Sequence, residues 1–471
     1  MSTVLSAPAA VRVNDVHSRL NETTVARVVR VTSLEVLRSA IREAAVAGVS
    51  IIVAGSRHAM GGQQFARGGW VLDMRPLKRV LMLDRERGLV TVEAGVEWPD
   101  LIAELGRLQP AEPAPWSIVQ KQTGADRLTI GGALAANIHG RGLQFAPIVS
   151  NVESFLMVDA DGEMRTCSRT ENVELFRGAI GGYGLLGVIA AVTLRLQRRY
   201  QIIRRVEIRD TCGLIEAFNR RIDENCTFGD FQFATDATHD SFLRTGVFSC
   251  YQRGDEGSVL ASTNQRVLSP EDWRRLAYLA HVDKSRAFEM YARHYLSTDG
   301  QVYWSDTHQL AFYEPDYHTH LDAQPGVASG SEMITEIYVP RASLEAYLEG
   351  ARCFLRERHA DLIYGTIRLI EREGETLLAW ARESWACIIF NLHVTHTADG
   401  IARSAETFRG LIDLAIAHGG SYYLTYHRWA TPAQLRRCHP RFDEFVALKR
   451  RADPESRFQS DWYRHYTHYA D

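Results

Sequence analysis

The stretch that most constrains this chain is residues 51–65, IIVAGSRHAMGGQQF. It starts with the β-branched residues of a buried strand. It then breaks at Gly55-Ser56-Arg57-His58 and closes on Gly61-Gly62-Gln63-Gln64. Small residues let backbone N–H groups approach a ligand closely, and successive N–H groups in a turn form an anion-binding nest. A histidine among such residues has a fixed direction and little cover. We read the stretch as a pyrophosphate cradle with a reactive imidazole at its tip. Taken alone, a tight turn with a surface histidine is the commoner outcome for so short a motif.

Two further stretches shift that balance. Residues 123–141 read TGADRLTIGGALAANIHGR. Nearly every side chain from Gly131 to Ala136 is tiny, so a flat aromatic ring can lie against the backbone, with His139 and Arg141 as donors at its edge. The competing reading is a close-packed helix of small residues, which does not explain a histidine placed between Ile138 and Gly140. Gly182, Gly184 and Gly187 then fit GxGxxG. A dinucleotide fingerprint needs a strand before it and a helix after it. Here a helix-like stretch from Val173 precedes and a β-branched strand from Val188 follows. The Rossmann reading is rejected, although these glycines can still pass close to a ligand.

The element order predicts an α+β fold. Thr32-Ser33-Leu34-Glu35 offers a capping box in which Glu35 reaches back to Thr32. A helix follows to Gly48, then strands at 49–54, 70–73, 80–84 and 90–94. Trp98-Pro99-Asp100 opens a short helix at 101–105. Residues 152–158 and 163–168 read as a hairpin. Residues 1–25 are expected to be a loose arm, and 26–200 a first domain. From about Arg198 the glycine-rich texture ends, and 201–418 reads as a second α+β domain. On its strands Glu336, Arg368, Asn391 and His393 are candidate functional side chains. Pairs at His318/His320 and His393/His396 suggest metal, but no acidic residue or cysteine nearby in sequence completes a ligand set, so no metal is expected. Residues 419–471 hold a strand at 421–426, a helix from Thr431-Pro432 broken at Pro440, a second helix from Phe442, and an aromatic tail (Phe458, Trp462, Tyr463, Tyr466) expected to pack back on the first domain.

Composition excludes several classes. At 471 residues two or three domains are expected. A net charge of −3 argues against a nucleic-acid partner or an anionic membrane surface. Seven scattered cysteines without CxxC suit a reducing compartment. No signal peptide or membrane span is visible, and a cytoplasmic enzyme is the expectation.

Together the motifs resemble the vanillyl-alcohol-oxidase (PCMH-type) flavoproteins. GSRHAMGGQQ, LTIGGALAANIHGR and GGYGLLGVIAAVTL match in order. The tail GGSYYLTYHRWATPAQLRRCHPRFDEFVALKRRADPESRFQSDW looks like the end of decaprenylphosphoryl-ribose oxidase and of related sugar and alditol oxidases. The likeness covers about 30–200 and 419–465. It implies a two-subdomain FAD-binding domain, a substrate-binding cap, and a C-terminal segment returning to the flavin. It implies that Ala54, Gly55, Ser56, Arg57, His58, Ala59, Met60, Gly61, Gln63 and Gln64 wrap the FAD phosphates. Gly124, Thr129, Gly131, Gly132, Asn137 and His139 would line the flavin and pyrophosphate, Val188 or Ile189 the adenosine half, and Tyr423 the ring. His58 falls where many members bond the flavin 8α-methyl covalently. A neutral imidazole is the nucleophile such a bond needs, and cationic Arg57 would help keep it unprotonated. Arg57 and Ala59 depart from the common Gly and Ser around it. Residues 120–129 hold no cysteine, so a second link is excluded.

The resemblance implies oxidation of a CH–OH group of a sugar, polyol or related alcohol by hydride transfer to flavin N5. Where the decaprenyl enzyme has its catalytic lysine this chain has Tyr426. His139, Glu336, Arg368, His393 and Tyr426 form the catalytic pool, with Arg368 able to hold a hydroxyl or carboxylate and Tyr426 or His139 to accept a proton. The acceptor is O2 or another oxidant, and Ile138 beside His139 favours a dehydrogenase by hindering oxygen. The alternatives are an amine or cytokinin-like C–N oxidation, since GGQQFA also fits that group, and a flavin-binding protein without turnover.

Overall fold

Apolar residues Leu37, Ala40, Ile41 and Ala44 recur at intervals of three and four, so the helix Leu34–Val46 buries one face. Its N-cap is Ser33, whose Oγ accepts from the Val36 N–H at 3.2 Å. The sequence expectation of Thr32 is one residue early. Capping at Ser33 starts the first turn at Leu34 and aims the apolar stripe inward. The computed structural model describes residues 10–254, 265–311 and 317–467.

The helix shares a core with a parallel three-stranded sheet, in which Trp70–Asp73 lies between Arg27–Arg30 and Ile51–Ala54. The Ile51 N–H donates to the Arg457 carbonyl at 2.7 Å and the Gln459 N–H to the Ile51 carbonyl at 3.0 Å. The C-terminal segment is thereby laid along this strand, and Phe458 enters the same core. Trp462 and Tyr466 are also buried.

A second, antiparallel sheet runs Met164–Ser168, Val152–Val158, Val188–Arg198, Leu89–Glu93, Val80–Asp84, with Trp116–Ile118 also pairing to Val188–Arg198. The hairpin Val152–Val158/Met164–Ser168 forms as its alternation and turn residues suggest. The short helix Ile130–Ala136 packs against the strand Val188–Arg198 of this sheet.

The third sheet has eight strands in the order Val302–Trp304, Gln201–Asp210, Thr245–Arg253, Cys226–Phe233, Leu362–Ile370, Trp385–Thr395, Gly330–Pro340, Ser421–Tyr422. Its last member comes from the C-terminal segment, which therefore touches both the first and the third sheet. The strand expected at 421–426 shortens to Ser421–Tyr422. After Tyr423, whose N–H still donates to the Glu336 carbonyl at 3.0 Å, the chain turns over 424–426.

The described part of the N-terminal arm is ordered, contrary to expectation. Val11–Val13 pairs antiparallel with Thr23–Val25. Between them the Asp15 carboxylate accepts from the Ser18 N–H at 2.6 Å, the Ser18 hydroxyl at 2.8 Å and the Asn21 amide at 3.0 Å. An Asx turn of this kind is a local signal that apolar periodicity does not reveal. Among the described residues no helix is long and apolar enough to cross a membrane.

Candidate active site

The strand Ile51–Ala54 ends where the backbone must pass close to a neighbour. A Cβ on Gly55 would lie 2.2 Å from Thr129 Oγ1, so only glycine lets the two cradles meet here. Arg57 adopts φ +62, an αL conformation unusual for a side chain of its size. The loop is then tied to the C-terminal segment. The Met60 N–H donates to the Thr425 carbonyl at 3.1 Å, and Gln63 Nε2 donates to the Leu424 carbonyl at 2.7 Å. Asn21 of the arm donates to the Met60 carbonyl at 2.6 Å.

His58 faces the arm. His17 Nε2 lies 2.7 Å from His58 Nδ1. Burial and the adjacent His17 lower His58 to about 3, against the pull of the Arg127 carbonyl. Burial, with His318, lowers His17 to about 4, while Glu332 acts in the opposite direction. Both rings are neutral near pH 7, so one shares its N–H with the other's lone pair. Burial is the main cause of that neutrality. Arg57, invoked from the sequence, is not among the dominant influences on His58.

The second cradle begins at Thr129, whose hydroxyl caps the helix Ile130–Ala136 by accepting from the Gly132 N–H at 3.3 Å. A Cβ on Gly131 would lie 2.8 Å from the Ala94 methyl. The run of small residues is thus a helix, and at the same time a wall of the cavity that holds His58. The loop before it is pinned from below. Buried Lys121 pairs with Asp126 at 2.7 Å and donates to the Gln309 carbonyl at 3.0 Å.

Beyond this helix the chain delivers His139 to the strand Gly330–Pro340. His139 Nε2 contacts Glu336 Oε1, and its Nδ1 lies 2.9 Å from the Gly140 carbonyl. The Tyr338 hydroxyl donates to the same Glu336 oxygen at 2.7 Å, and the Cys387 thiol approaches it at 3.2 Å. Burial pushes the Glu336 carboxyl up, but the charge and hydrogen bond of His139, with Tyr338, outweigh it and hold it at about 2. Glu336 is therefore ionised in a dry place. Tyr426 stands beside it; burial and the Glu336 charge raise its phenol well above the ordinary value, so it stays protonated. Arg368, on Leu362–Ile370, is buried, and its Nε has no hydrogen-bond partner among the described residues. Tyr423 donates its hydroxyl to the Ala136 carbonyl at 2.6 Å, and Trp380 its ring N–H to the Asn137 carbonyl at 2.9 Å. These two bonds fasten the third sheet to the end of the small-residue helix.

One cavity takes in Gly55, Ser56, Arg57, His58, Ala59, Met60, Gln63, Gln64, Gly124, Thr129, Gly131, Gly132, Ile189 and Tyr423, together with His139, Glu336, Arg368 and Tyr426. Five expected residues do not line it. Ala54 packs into the core below, and the Gly61 N–H is taken by Gln63 Oε1 at 3.0 Å. The Asn137 amide is consumed by Glu373 at 3.2 Å and by the Val149 N–H at 3.2 Å. Val188 points into the core with Leu72, leaving Ile189 on the cavity side. His393 lies instead against Glu332, at 3.3 Å. The sequence also missed His17, Gln122, Thr123, Tyr183 and Thr425, all of which line the cavity. They sit in turns or in the arm, where no periodicity marks them.

The lining suits an FAD. Arg57 Nε, Gln64 Oε1, Gln122 Oε1 and Thr123 Oγ1 are buried at this cavity without a hydrogen-bond partner among the described residues. Buried polar atoms are ordinarily satisfied, so these point to a polar ligand with a long outline. His17, Met60, Ile334, Arg368 and Tyr426 are shared with a second, larger cavity of ≈ 1120 Å³ that extends under the third sheet, where Asn391 also lies.

Comparison with known proteins agrees. A family model described as an FAD binding domain matches residues 25–168. The chain is 32% identical over 232 residues to an uncharacterised oxidoreductase of the fasciation locus of Rhodococcoides fascians, covering 48% of this chain and 51% of that protein, about half its length. It is 25% identical over 437 residues to L-gulono-1,4-lactone dehydrogenase of Mycobacterium tuberculosis, covering 93% of this chain and 95% of that one. It is 32% identical over 176 residues to decaprenylphosphoryl-beta-D-ribose oxidase of Mycolicibacterium smegmatis, covering 37% of each chain. Three glycine-poised bends thus meet at one cavity, residues 25–168 match an FAD binding domain, and nearly the whole chain is similar to a lactone dehydrogenase.

Proposed function

We propose that the protein oxidises a CH–OH group of a sugar, sugar lactone, polyol or related alcohol. The observation that carries this reading is the buried Glu336 carboxylate in the first cavity, bound by His139 and accompanied by Arg368 and Tyr426, which also line the larger cavity. FAD, when bound, supplies a hydride acceptor at its N5. The protein has to hold the alcohol and remove its hydroxyl proton. The hydrogen bonds from His139, Tyr338 and Cys387 all converge on Glu336 Oε1. Glu336 Oε2 is the oxygen we assign to the substrate hydroxyl, with the His139–Glu336 pair taking its proton. Protonated Tyr426 donates to the substrate, and the Arg368 guanidinium holds a neighbouring oxygen. The long alignment with a lactone dehydrogenase supports a hydroxyl-bearing donor.

In this reading residues 26–200 hold FAD, 201–418 form the substrate cap, and 419–471 return to both. His58 is the point of covalent attachment to the flavin 8α-methyl; its neutrality and its place on the cavity wall support this. The electrons pass on to O2 or another oxidant.

The Glu336→Gln protein tests the assignment. It keeps the shape but lacks the charge and the base. With an alcohol donor under anaerobic conditions, flavin reduction should slow by about 10²–10⁴-fold while FAD content stays unchanged. Equal rates in the two proteins would remove Glu336 from the chemistry.

A further inference from the structure

A second polar cluster lies on the Glu336 strand, four residues before it. Glu332 and Glu336 face the same side, roughly 13 Å apart at about 3.3 Å per residue. Around Glu332 three imidazoles converge from three elements. His393 sits directly across from it, as its cross-strand partner on Trp385–Thr395. His281 comes from the last turn of the helix Pro270–Val282, and His318 from the helix Tyr317–Asp322. Sequence spacing paired His318 with His320 and His393 with His396 and found no acidic residue to join them. The fold separates those pairs: His320 is exposed and His396 bonds the Ser331 hydroxyl at 2.8 Å. It brings Glu332 in from a different strand.

His281 Nε2 lies 3.2 Å from Glu332 Oε1, His393 Nδ1 3.3 Å from the same oxygen, and His318 Nε2 3.2 Å from Oε2. Charge-assisted N–H···O bonds close to about 2.7–2.9 Å. These contacts are longer, and His281 Nε2 makes no directed hydrogen bond at all among the described residues. Tetrahedral ligands at metal bonds of about 2.0–2.1 Å stand about 3.3–3.4 Å apart, close to the 3.2–3.3 Å between each imidazole nitrogen and Glu332. The ligand atoms of His281, Glu332 and His393 lie within 4.8 Å of one another. The rings of His281 and His393 stand at 89°, so their lone pairs can converge rather than stack. The side chains of His281, His393 and His318 are 3%, 3% and 8% exposed, and Glu332 10%. Such burial keeps competing water away.

We propose that His281, Glu332 and His393, with His318 as a further ligand, form a binding site for a divalent transition-metal ion of the zinc type. Two or three imidazoles and one carboxylate are a donor set that zinc, and Co2+ in its place, accepts in four-coordination. The ion would clamp two helices to the sheet. Glu332 and His318 also line the larger cavity, so the ion would form part of its floor. This inference does not depend on the reaction proposed above. A comparable set at His139, Glu336 and Cys387 belongs to the active site already described, where Glu336 Oε1 is occupied by hydrogen bonds.

The test uses the flavin-loaded full chain, stripped with chelator and titrated with Co2+. We expect one equivalent per chain with the intense visible bands of four-coordinate cobalt, displaced by Zn2+. Glu332→Gln and His281→Ala should weaken binding by about 10–100-fold or more, while exposed His320→Ala binds as the wild type. Retained flavin absorbance certifies that each variant is folded. Absence of a stoichiometric four-coordinate cobalt spectrum in the wild-type protein would overturn the proposal without any variant. So would binding that survives equally in Glu332→Gln and His281→Ala.

Discussion

His58 concentrates the chemistry of a single side chain. Its nucleophilicity depends on being uncharged, and burial beside His17 holds it so. At neutral pH the ring keeps a lone pair for the carbon it is proposed to attack, and His17 keeps the ring in one orientation. Acid precipitation of the wild-type protein should leave a yellow pellet. His58→Ala should give a colourless pellet and a yellow supernatant, because the many other contacts of the cradle still bind FAD without the bond. A pellet that stays yellow in the variant would move the attachment elsewhere. His58 stood out in its glycine surroundings, and the two further glycine-rich stretches made it a candidate. Its partner His17 was not, because that contact joins positions 41 residues apart and His17 sits in a turn without an apolar pattern.

Elements hold these residues in place by means that only partly show in sequence. The strands Trp70–Asp73 and Val80–Asp84 fall where their β-branched and apolar runs put them. The end of the chain does not follow its pattern. The run from Ser421 reads as a six-residue strand, yet only Ser421–Tyr422 pairs. The carbonyls of Leu424 and Thr425 are needed by Gln63 and Met60 of the first cradle, and tertiary contacts override the local preference. The loop ahead of the small-residue helix depends on a buried ion pair. Lys121 is fully buried, and burial pulls its ammonium below the ordinary value against the charge of Asp126. Removing one partner of a buried pair leaves the other uncompensated and costs about 3–5 kcal/mol. Lys121→Met should lower the unfolding free energy by that amount in denaturant titrations, and adding Asp126→Leu should recover much of the loss. A loss below about 1 kcal/mol in the single variant would show that the pair does not support the cradle.

Among the described residues three larger sheets and a two-stranded N-terminal pair make up the molecule, and a C-terminal segment touches the first of the three at Phe458 and the third at Tyr422. That arrangement lets two cradles from the front of the chain share a cavity with Glu336, Arg368 and Tyr426 from strands and a turn far along it. The glycine bends were legible because they are local in sequence. The cluster at Glu332 was not, because its members are spread over more than a hundred residues and meet only through strand register. The central claim is that this convergence binds FAD and oxidises hydroxyl-bearing donors. The direct measurement is the flavin spectrum of the purified protein, titrated anaerobically with sugar lactones, polyols and amines in parallel. The account predicts one FAD per chain, bleached by a lactone or polyol and left oxidised by the amines. A folded protein that cannot be loaded with FAD would contradict it, and so would bleaching by amines alone or by no donor in the panel.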